Sequence, residues 1–74
     1  MIVTVLYYDE MAHGYGGNEY TYRTELPLQP FQKVLAPTQK GDKKAIVMNV
    51  NLPESVIDPA WADRVKVIKE LDNA

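Results

Sequence analysis

The chain has no cysteine, no long apolar run and no excess of positive charge. Without cysteine there is neither a disulfide framework nor a thiolate metal site, so packing or a partner must hold the domain together. The apolar start at residues 2–8 is too short for a signal peptide or a membrane span, and we expect a cytoplasmic protein. A net charge of -2 disfavours strong non-specific binding to nucleic acid, which rests on excess positive charge.

Residues that serve as catalytic nucleophiles or metal ligands are also scarce. Ser55 is the only serine, His13 is the only histidine, and no paired-carboxylate motif is present. We therefore expect a protein that is not an enzyme and that uses no cofactor. A metal site would have to combine His13 with Asp9, Glu10 or Glu19 at no recognised spacing, so no metal site is predicted.

The 74 residues are enough for one small domain, spanning 1–74, with one modest core. Residues 2–8 are β-branched and aromatic, which predicts a first strand. Residues 19–24 alternate polar and aromatic side chains with a period of two, which predicts a second strand. The ten residues between them, DEMAHGYGGN, contain three glycines and an asparagine, so we predict a long, mobile hairpin loop.

The middle of the chain is rich in turn signals. Pro27 and Pro30 each remove an amide donor, which predicts a bent crossover with Leu26, Leu28 and Phe31 packing inward. A short third strand at residues 33–37, a polar turn at 38–43 and a fourth strand at 44–51 should form a hairpin.

The last third begins with a helix signal, because Asp58 followed by Pro59 has the order of an N-cap residue and a first-turn proline. Residues 64–72 fit a strand or a short helix, and the Val-Lys-Val-Ile sequence favours a strand. The chain is therefore predicted to be mostly β, a small five-stranded barrel-like or SH3/OB-like domain with one short helical turn.

Five short motifs occur in the order found in a known DNA-binding module. They are Val3-Thr4-Val5-Leu6, Tyr20-Thr21-Tyr22, Val34-Leu35-Ala36-Pro37, Ala45-Ile46-Val47 and Val67-Ile68-Lys69-Glu70-Leu71-Asp72. In this order the chain resembles the amino-terminal 3'-DNA-binding domain of the primosomal replication-restart helicase, primosomal protein N-prime. The resemblance implies a module that binds single-stranded or forked DNA ends without the helicase motor.

Two positions depart from that family. Thr21 stands where the family has an acidic residue that helps to recognise a 3'-hydroxyl, and a hydroxyl is a weaker acceptor than a carboxylate. Phe31 stands near the position of a glycine that the family places before its Val-x-Val-Pro strand.

The expected nucleic-acid site combines stacking, a polar contact and phosphate contacts. Tyr20 or Tyr22 would stack on a base, an interaction that stabilises by about 1 to 3 kcal/mol per base. The phosphate contacts would come from lysines around the third turn and from Arg23. The complete set of expected site residues is Tyr20, Thr21, Tyr22, Arg23, Lys33, Lys43 and Lys44.

Each of these features also has a purely structural interpretation. The tyrosines could pair across the hairpin and fill the core, and the turn lysines, Lys40 included, could keep a sheet edge soluble. Trp61 could be an interface residue, but plugging one end of the barrel is the favoured interpretation. The alternative function is a small protein-interaction or regulatory module, of phage or mobile-element type, that uses the glycine-tyrosine loop and an exposed strand edge and binds no nucleic acid.

Overall fold

The period-two patterns form strands as predicted, and alternating side chains from part of each long strand enter one core. The structure is a computed structural model that describes residues 1–73. Along the described chain the strands are β1 (Ile2–Asp9), β2 (Gly14–Thr24), β3 (Lys33–Thr38), β4 (Gly41–Leu52), β5 (Val67–Ile68) and β6 (Glu70–Leu71). Two 3₁₀ helices, Glu54–Val56 and Pro59–Arg64, lie between β4 and β5.

The strands form one mixed sheet in the order β5-β2-β1-β4-β3-β6. β1, β2, β3 and β4 are antiparallel neighbours, and the hairpin between β3 and β4 confirms the prediction for that segment. β5 pairs in parallel with β2, whereas β6 pairs with β3 at the opposite edge. Because only Lys69 separates β5 from β6, one short segment of chain reaches both edges of the sheet.

The prediction of a small, mostly β domain is confirmed, with three differences in detail. Two 3₁₀ helices are present among residues 1–73 where one helical turn was predicted. The sheet is not a closed barrel, because no ladder among residues 1–73 joins β5 to β6. Residues 1–73 form six strands rather than five, since the last predicted strand is divided at Lys69 into two short pieces. Residues 67–71 pair with β2 at one edge of the sheet and with β3 at the other. Because the segment has only five residues, each of its two strands contains only two.

The core is built from alternating side chains of the central strands. Its buried members include Val3 and Val5 of β1 and Val34 and Ala36 of β3, and the full cluster is Val3, Val5, Tyr22, Leu28, Val34, Ala36, Ala45, Val47 and Ile68. Thr24 is buried among them and donates its hydroxyl to the carbonyl of Ile68 at 2.9 Å. This hydrogen bond ties the end of β2 to β5 and satisfies the one buried polar side chain identified among residues 1–73.

The loop between β1 and β2 is shorter than predicted. Its glycines lie within β2, which begins at Gly14, so only residues 10–13 connect the two strands. The register between β1 and β2 shifts in the middle of the hairpin, because Val5 pairs with Tyr20 whereas Tyr7 pairs with Gly16. Residues 17–19 therefore bulge from β2 opposite Leu6, and Gly17 has a φ of +86° there.

The crossover at residues 25–32 buries Leu28 and packs Leu26 against the core, but the prediction for Phe31 is wrong. Phe31 is 71% exposed and has a φ of 70°. It follows Pro30 in a turn that the Gln32 amide closes by donating to the Gln29 carbonyl at 3.2 Å. Proline at the second position and positive φ at the third are features of a type II turn, which normally places glycine or asparagine where Phe31 lies.

The predicted helical turn is confirmed as the 3₁₀ helix Pro59–Arg64. Its N-cap residue Asp58 accepts a hydrogen bond from the amide of Ala60 at 2.9 Å. This helix has no buried residues, and Trp61 is 56% exposed. The prediction that Trp61 plugs a barrel end is therefore wrong: a helix this short, held mainly by its flanking residues, presents the ring at the surface.

Candidate functional site

Tyr7 of β1 and Tyr20 and Tyr22 of β2 lie together on one face of the hairpin. The rings of Tyr7 and Tyr20 are stacked, with centroids 4.5 Å apart and planes inclined by 16°. Tyr20 lies two residues before Tyr22 on β2 and therefore shares its face, but Tyr22 is 5% exposed and Tyr20 is 42% exposed. Tyr22 therefore belongs to the core, whereas Tyr20, on the same face of β2, lies at the surface.

The hydroxyl groups of Tyr7 and Tyr22 form a chain of hydrogen bonds that ends on the carbonyl of Pro37, which we call the relay. The Tyr22 hydroxyl donates to the carbonyl of Pro37 at 2.9 Å, and the Tyr7 and Tyr22 hydroxyl oxygens are 2.5 Å apart. A phenol has one proton, so Tyr22 has none left for Tyr7, and Tyr7 must be the donor between them. Burial raises the pKa of Tyr22 well above its ordinary value.

The stacked pair separates two surface grooves. The first, which we call the aromatic groove, has a volume of about 340 Å³. Its lining residues are Tyr7, Tyr20, Thr21, Tyr22, Pro37, Thr38, Gln39, Trp61, Arg64, Val65 and Lys66. This groove runs between β2 and the turn after β3, and the helix Pro59–Arg64 supplies the remaining wall.

The second groove, which we call the hairpin groove, has a volume of about 650 Å³. Its lining residues are Tyr7, Tyr8, Asp9, Glu10, Met11, Gly16, Gly17, Asn18, Tyr20, Asp42, Lys43 and Lys44. The ammonium of Lys43 lies 5.0 Å from the centroid of the Tyr7 ring, a cation–π contact that holds this lysine beside the stack.

The two grooves differ in the charge of their walls. The charged residues that line the aromatic groove are Arg64 and Lys66, and both are cations. The hairpin groove has two lysines but three carboxylates, those of Asp9, Glu10 and Asp42. An anionic ligand is therefore favoured by the aromatic groove and opposed by the hairpin groove, although the hairpin groove is larger.

Trp61 and Arg64 occupy one wall of the aromatic groove as a pair. The Arg64 guanidinium carbon lies 5.0 Å from the centroid of the Trp61 ring. The two residues are three positions apart in the helix Pro59–Arg64, so their side chains project from neighbouring positions. The guanidinium lies over the Trp61 ring, and both residues line the same groove as Tyr20.

The residues expected from the sequence to bind nucleic acid fall into separate groups. Tyr20, Thr21 and Tyr22 line the aromatic groove, and Lys43 and Lys44 line the hairpin groove. Lys33 is exposed on β3 and lines neither groove. Tyr20 also lines the hairpin groove, so the structure places it beside Lys43 and Lys44 on that side. None of the expected cations lines the aromatic groove, where Tyr20, Thr21 and Tyr22 lie together.

Arg23 is also separate from the grooves, because it forms an ion pair with Glu54. Its guanidinium donates to both carboxylate oxygens of Glu54, at 2.6 and 3.0 Å. This hydrogen bonding raises the pKa of Arg23 and lowers the pKa of Glu54. The pair joins β2 to the helix Glu54–Val56, which identifies a structural role for Arg23.

Sequence reasoning missed Arg64 and Lys66 as possible ligand-binding cations, and it placed Trp61 in the core. One local signal was available, since Trp61 and Arg64 lie three positions apart after the Asp58-Pro59 helix start. Lys66 offered no such signal. It comes beside Arg23 through a backbone contact, in which the Arg23 amide donates to the Lys66 carbonyl at 2.9 Å.

A second polar cluster lies near the β2 bulge. The carboxylate of Glu19 accepts hydrogen bonds from the Thr4 hydroxyl at 2.8 Å and from the Asn49 side-chain amide at 2.9 Å. These contacts link β1, β2 and β4 and fix the Glu19 carboxylate.

Over residues 1–73, no group of three or more histidine, cysteine, aspartate or glutamate side chains is arranged to hold a metal ion.

Within the same described range, no helix has the length and apolar character needed to cross a membrane. The chain matches no protein-family model, no curated protein and no solved structure.

Proposed function

We propose that this protein is a non-enzymatic binding module for single-stranded DNA, with the aromatic groove as its site. The observation that carries the proposal is the composition of that groove, where Tyr20 and Trp61 are both partly exposed and the charged lining residues are both cations. Proteins that bind single strands combine aromatic platforms for the bases with cations for the phosphates.

Each part of the groove has a distinct role in this proposal. A base stacks on the face of Tyr20 that Tyr7 leaves free, or on Trp61 in the same groove. The adjoining phosphates contact Arg64 and Lys66, and Thr21 supplies a polar contact from the groove wall. The acidic net charge of the chain is compatible with this arrangement, because the carboxylates near the stack line the other groove.

Trp61 provides a direct test because it is the only tryptophan in the chain. We expect a single-stranded oligonucleotide of about ten nucleotides to quench its fluorescence at low salt. Two phosphate contacts should give a slope of about -1.4 when the logarithm of the affinity is plotted against that of the salt concentration. Absence of quenching at low salt, or binding that does not change with salt, would contradict the proposal.

The alternative is a protein-interaction module that uses the outer edge of β2. Over residues 1–73 that edge is paired with another strand only at Arg23 and Thr24, which leaves the backbone from Gly14 to Tyr22 open to an extended peptide. The bulge at residues 17–19 interrupts this edge, and bulges protect exposed edges from pairing. DNA binding is therefore favoured, and protein binding becomes the leading candidate if the oligonucleotide titration fails.

A further inference from the structure

Ten consecutive residues beside the aromatic groove contain no buried side chain. Ile57 is 7% exposed and Ile68 is 1% exposed, and every residue between them is half-buried or exposed. Ala62 and Val65 are the most covered of the ten, and both are only half-buried. Because buried apolar contacts are the main source of local stability, little holds this segment against the core.

The hydrogen bonds of this segment are also internal. The Asp58 carbonyl accepts from the Trp61 amide at 2.8 Å, and the Asp58 carboxylate accepts from the amide two residues along at 2.9 Å. Within the described chain, no hydrogen bond, ion pair or ring contact joins residues 58–65 to the rest of the protein. The first such contact comes at Lys66, whose carbonyl accepts from the Arg23 amide at 2.9 Å.

Residues 58–65, which we call the flap, nevertheless supply part of the aromatic groove. Trp61, Arg64 and Val65 line the groove from the flap, whereas Tyr20 lines it from the sheet. The contact between the Arg64 guanidinium and the Trp61 ring, at 5.0 Å, stays within the flap and does not attach it to the sheet. The groove therefore has one wall built on strands and another wall joined to the protein mainly at its ends.

From these observations we infer that the flap moves in the free protein and closes on the single strand that occupies the aromatic groove. The inference rests on the proposed function and makes it more specific, because it identifies the wall that changes on binding. A ligand that touches both Tyr20 and Trp61 joins the flap to the sheet through contacts that the free protein lacks. Lid movements of this kind take microseconds to milliseconds and do not require the domain to unfold.

NMR relaxation of isotope-labelled protein tests the motion and the closure in one series. In the free protein we expect the amides of residues 60–65 to show microsecond-to-millisecond exchange or order parameters below about 0.6, while those of β1 and β4 are about 0.85. A saturating single-stranded oligonucleotide of about ten nucleotides, at low salt, should suppress this motion. Flap amides as rigid as the strands in the free protein, or flap motion unchanged at saturation, would overturn the inference. Shifts of Tyr20 and Thr21, on the sheet wall, report binding independently, and their absence would overturn the proposed function itself.

Two aspartate variants test whether the order of the flap affects binding. Asp58→Ala and Asp63→Ala each remove one negative charge from the flap, a change that by itself favours an anionic ligand. Asp58→Ala also removes the N-cap hydrogen bond, so its affinity for the oligonucleotide should fall about two- to tenfold. The Asp63 carboxylate has no partner among residues 1–73, so Asp63→Ala should bind at least as tightly as the wild type. Equal affinities of the two variants, with urea unfolding unchanged in both, would overturn the inference.

Discussion

Tyr7 and Tyr20 face each other across the β1–β2 hairpin as a stacked pair, although they are not direct partners in the strand register. Tyr20 lies opposite Val5, and Tyr7 lies opposite Gly16. The extra residues 17–19 separate the register position of Tyr20 from that of Gly16, and Tyr20 contacts Tyr7 from further along β2. The bulge at residues 17–19 thus creates the aromatic surface on which the proposed function depends.

The first prediction concerns the platform itself. Tyr20→Ala removes a partly exposed ring, and the affinity for single-stranded DNA should fall about 5- to 150-fold, the equivalent of one base stack. The loss of its contact with Tyr7 should lower the free energy of unfolding by about 0.5 to 1.5 kcal/mol, in addition to the loss from the apolar area that the partly buried ring covers. Fluorescence titration and urea unfolding measure the two effects separately. Unchanged affinity in a folded Tyr20→Ala variant would rule out Tyr20 as the platform.

The second prediction compares the contributions of Arg64 and Arg23 to DNA binding. Arg64→Gln should weaken binding at low salt and reduce the steepness of the salt dependence by about 0.7, as expected for the loss of one phosphate contact. Arg23→Gln should leave both quantities unchanged, because the Arg23 guanidinium is held by Glu54 and lines neither groove. If Arg23→Gln weakened binding and Arg64→Gln did not, the result would favour the site expected from the sequence, which includes Arg23, over the aromatic groove.

The third prediction concerns the buried hydroxyl of Tyr22. Tyr22→Phe deprives the Pro37 carbonyl and the Tyr7 hydroxyl of a partner, and the free energy of unfolding should fall by about 1 to 3 kcal/mol. Tyr15→Phe is the control, since Tyr15 contacts Tyr8 through its ring. Urea unfolding of both variants measures the difference. Equal free energies of unfolding for Tyr22→Phe and the wild type would mean that the relay does not stabilise the fold.

The same residue gives a fourth prediction, at alkaline pH. The folded-state pKa of Tyr22 lies above its ordinary value of 10.0, so the folded state keeps the proton that the unfolded state loses. The resulting stability is fully present below pH 10.0 and is lost as the pH rises towards the folded-state pKa. The stability difference between wild type and Tyr22→Phe should therefore narrow above that pH. A constant difference would show that Tyr22 titrates alike in both states.

The fifth prediction uses the strained turn at Phe31. A bulky residue at positive φ costs about 1 to 3 kcal/mol, whereas glycine adopts this conformation readily. Phe31→Gly should raise the free energy of unfolding by about 1 kcal/mol, since the exposed ring contributes little packing. Phe31→Ala, which keeps the Cβ, should give no such gain. A loss of stability in Phe31→Gly would mean that the ring supports the fold.

The strands were predictable because their patterns are local. Alternating apolar residues are buried in part of each of these strands, such as Val3 and Val5 in β1, Val34 and Ala36 in β3, and Ala45 and Val47 in β4. The hairpin between β3 and β4 has a glycine, Gly41, where β4 leaves the turn. The glycines of residues 14–17 were misassigned for a related reason: glycine and asparagine favour both loops and bulged strands, and only the register with β1 distinguishes these.

Features that depend on distant contacts were not predictable from local patterns. The ion pair between Arg23 and Glu54 joins residues 31 positions apart. Phe31 and Trp61 were expected inside because large apolar side chains are usually buried, but a tight turn and a 3₁₀ helix hold them at the surface. Lys66 reaches the groove because β5 pairs with the end of β2, a parallel contact that no local pattern signals.

The most direct test of the proposed function is an NMR titration of isotope-labelled protein with a single-stranded oligonucleotide of about ten nucleotides at low salt. We expect shifts at Tyr20, Thr21, Gln39, Arg64 and Lys66 and at the indole N–H of Trp61, with the signals of Lys33 and the hairpin groove carboxylates little changed. The shifts should diminish as salt is added. No shifts at low salt, or shifts confined to residues outside the aromatic groove, would contradict the assignment of this groove as a DNA-binding site.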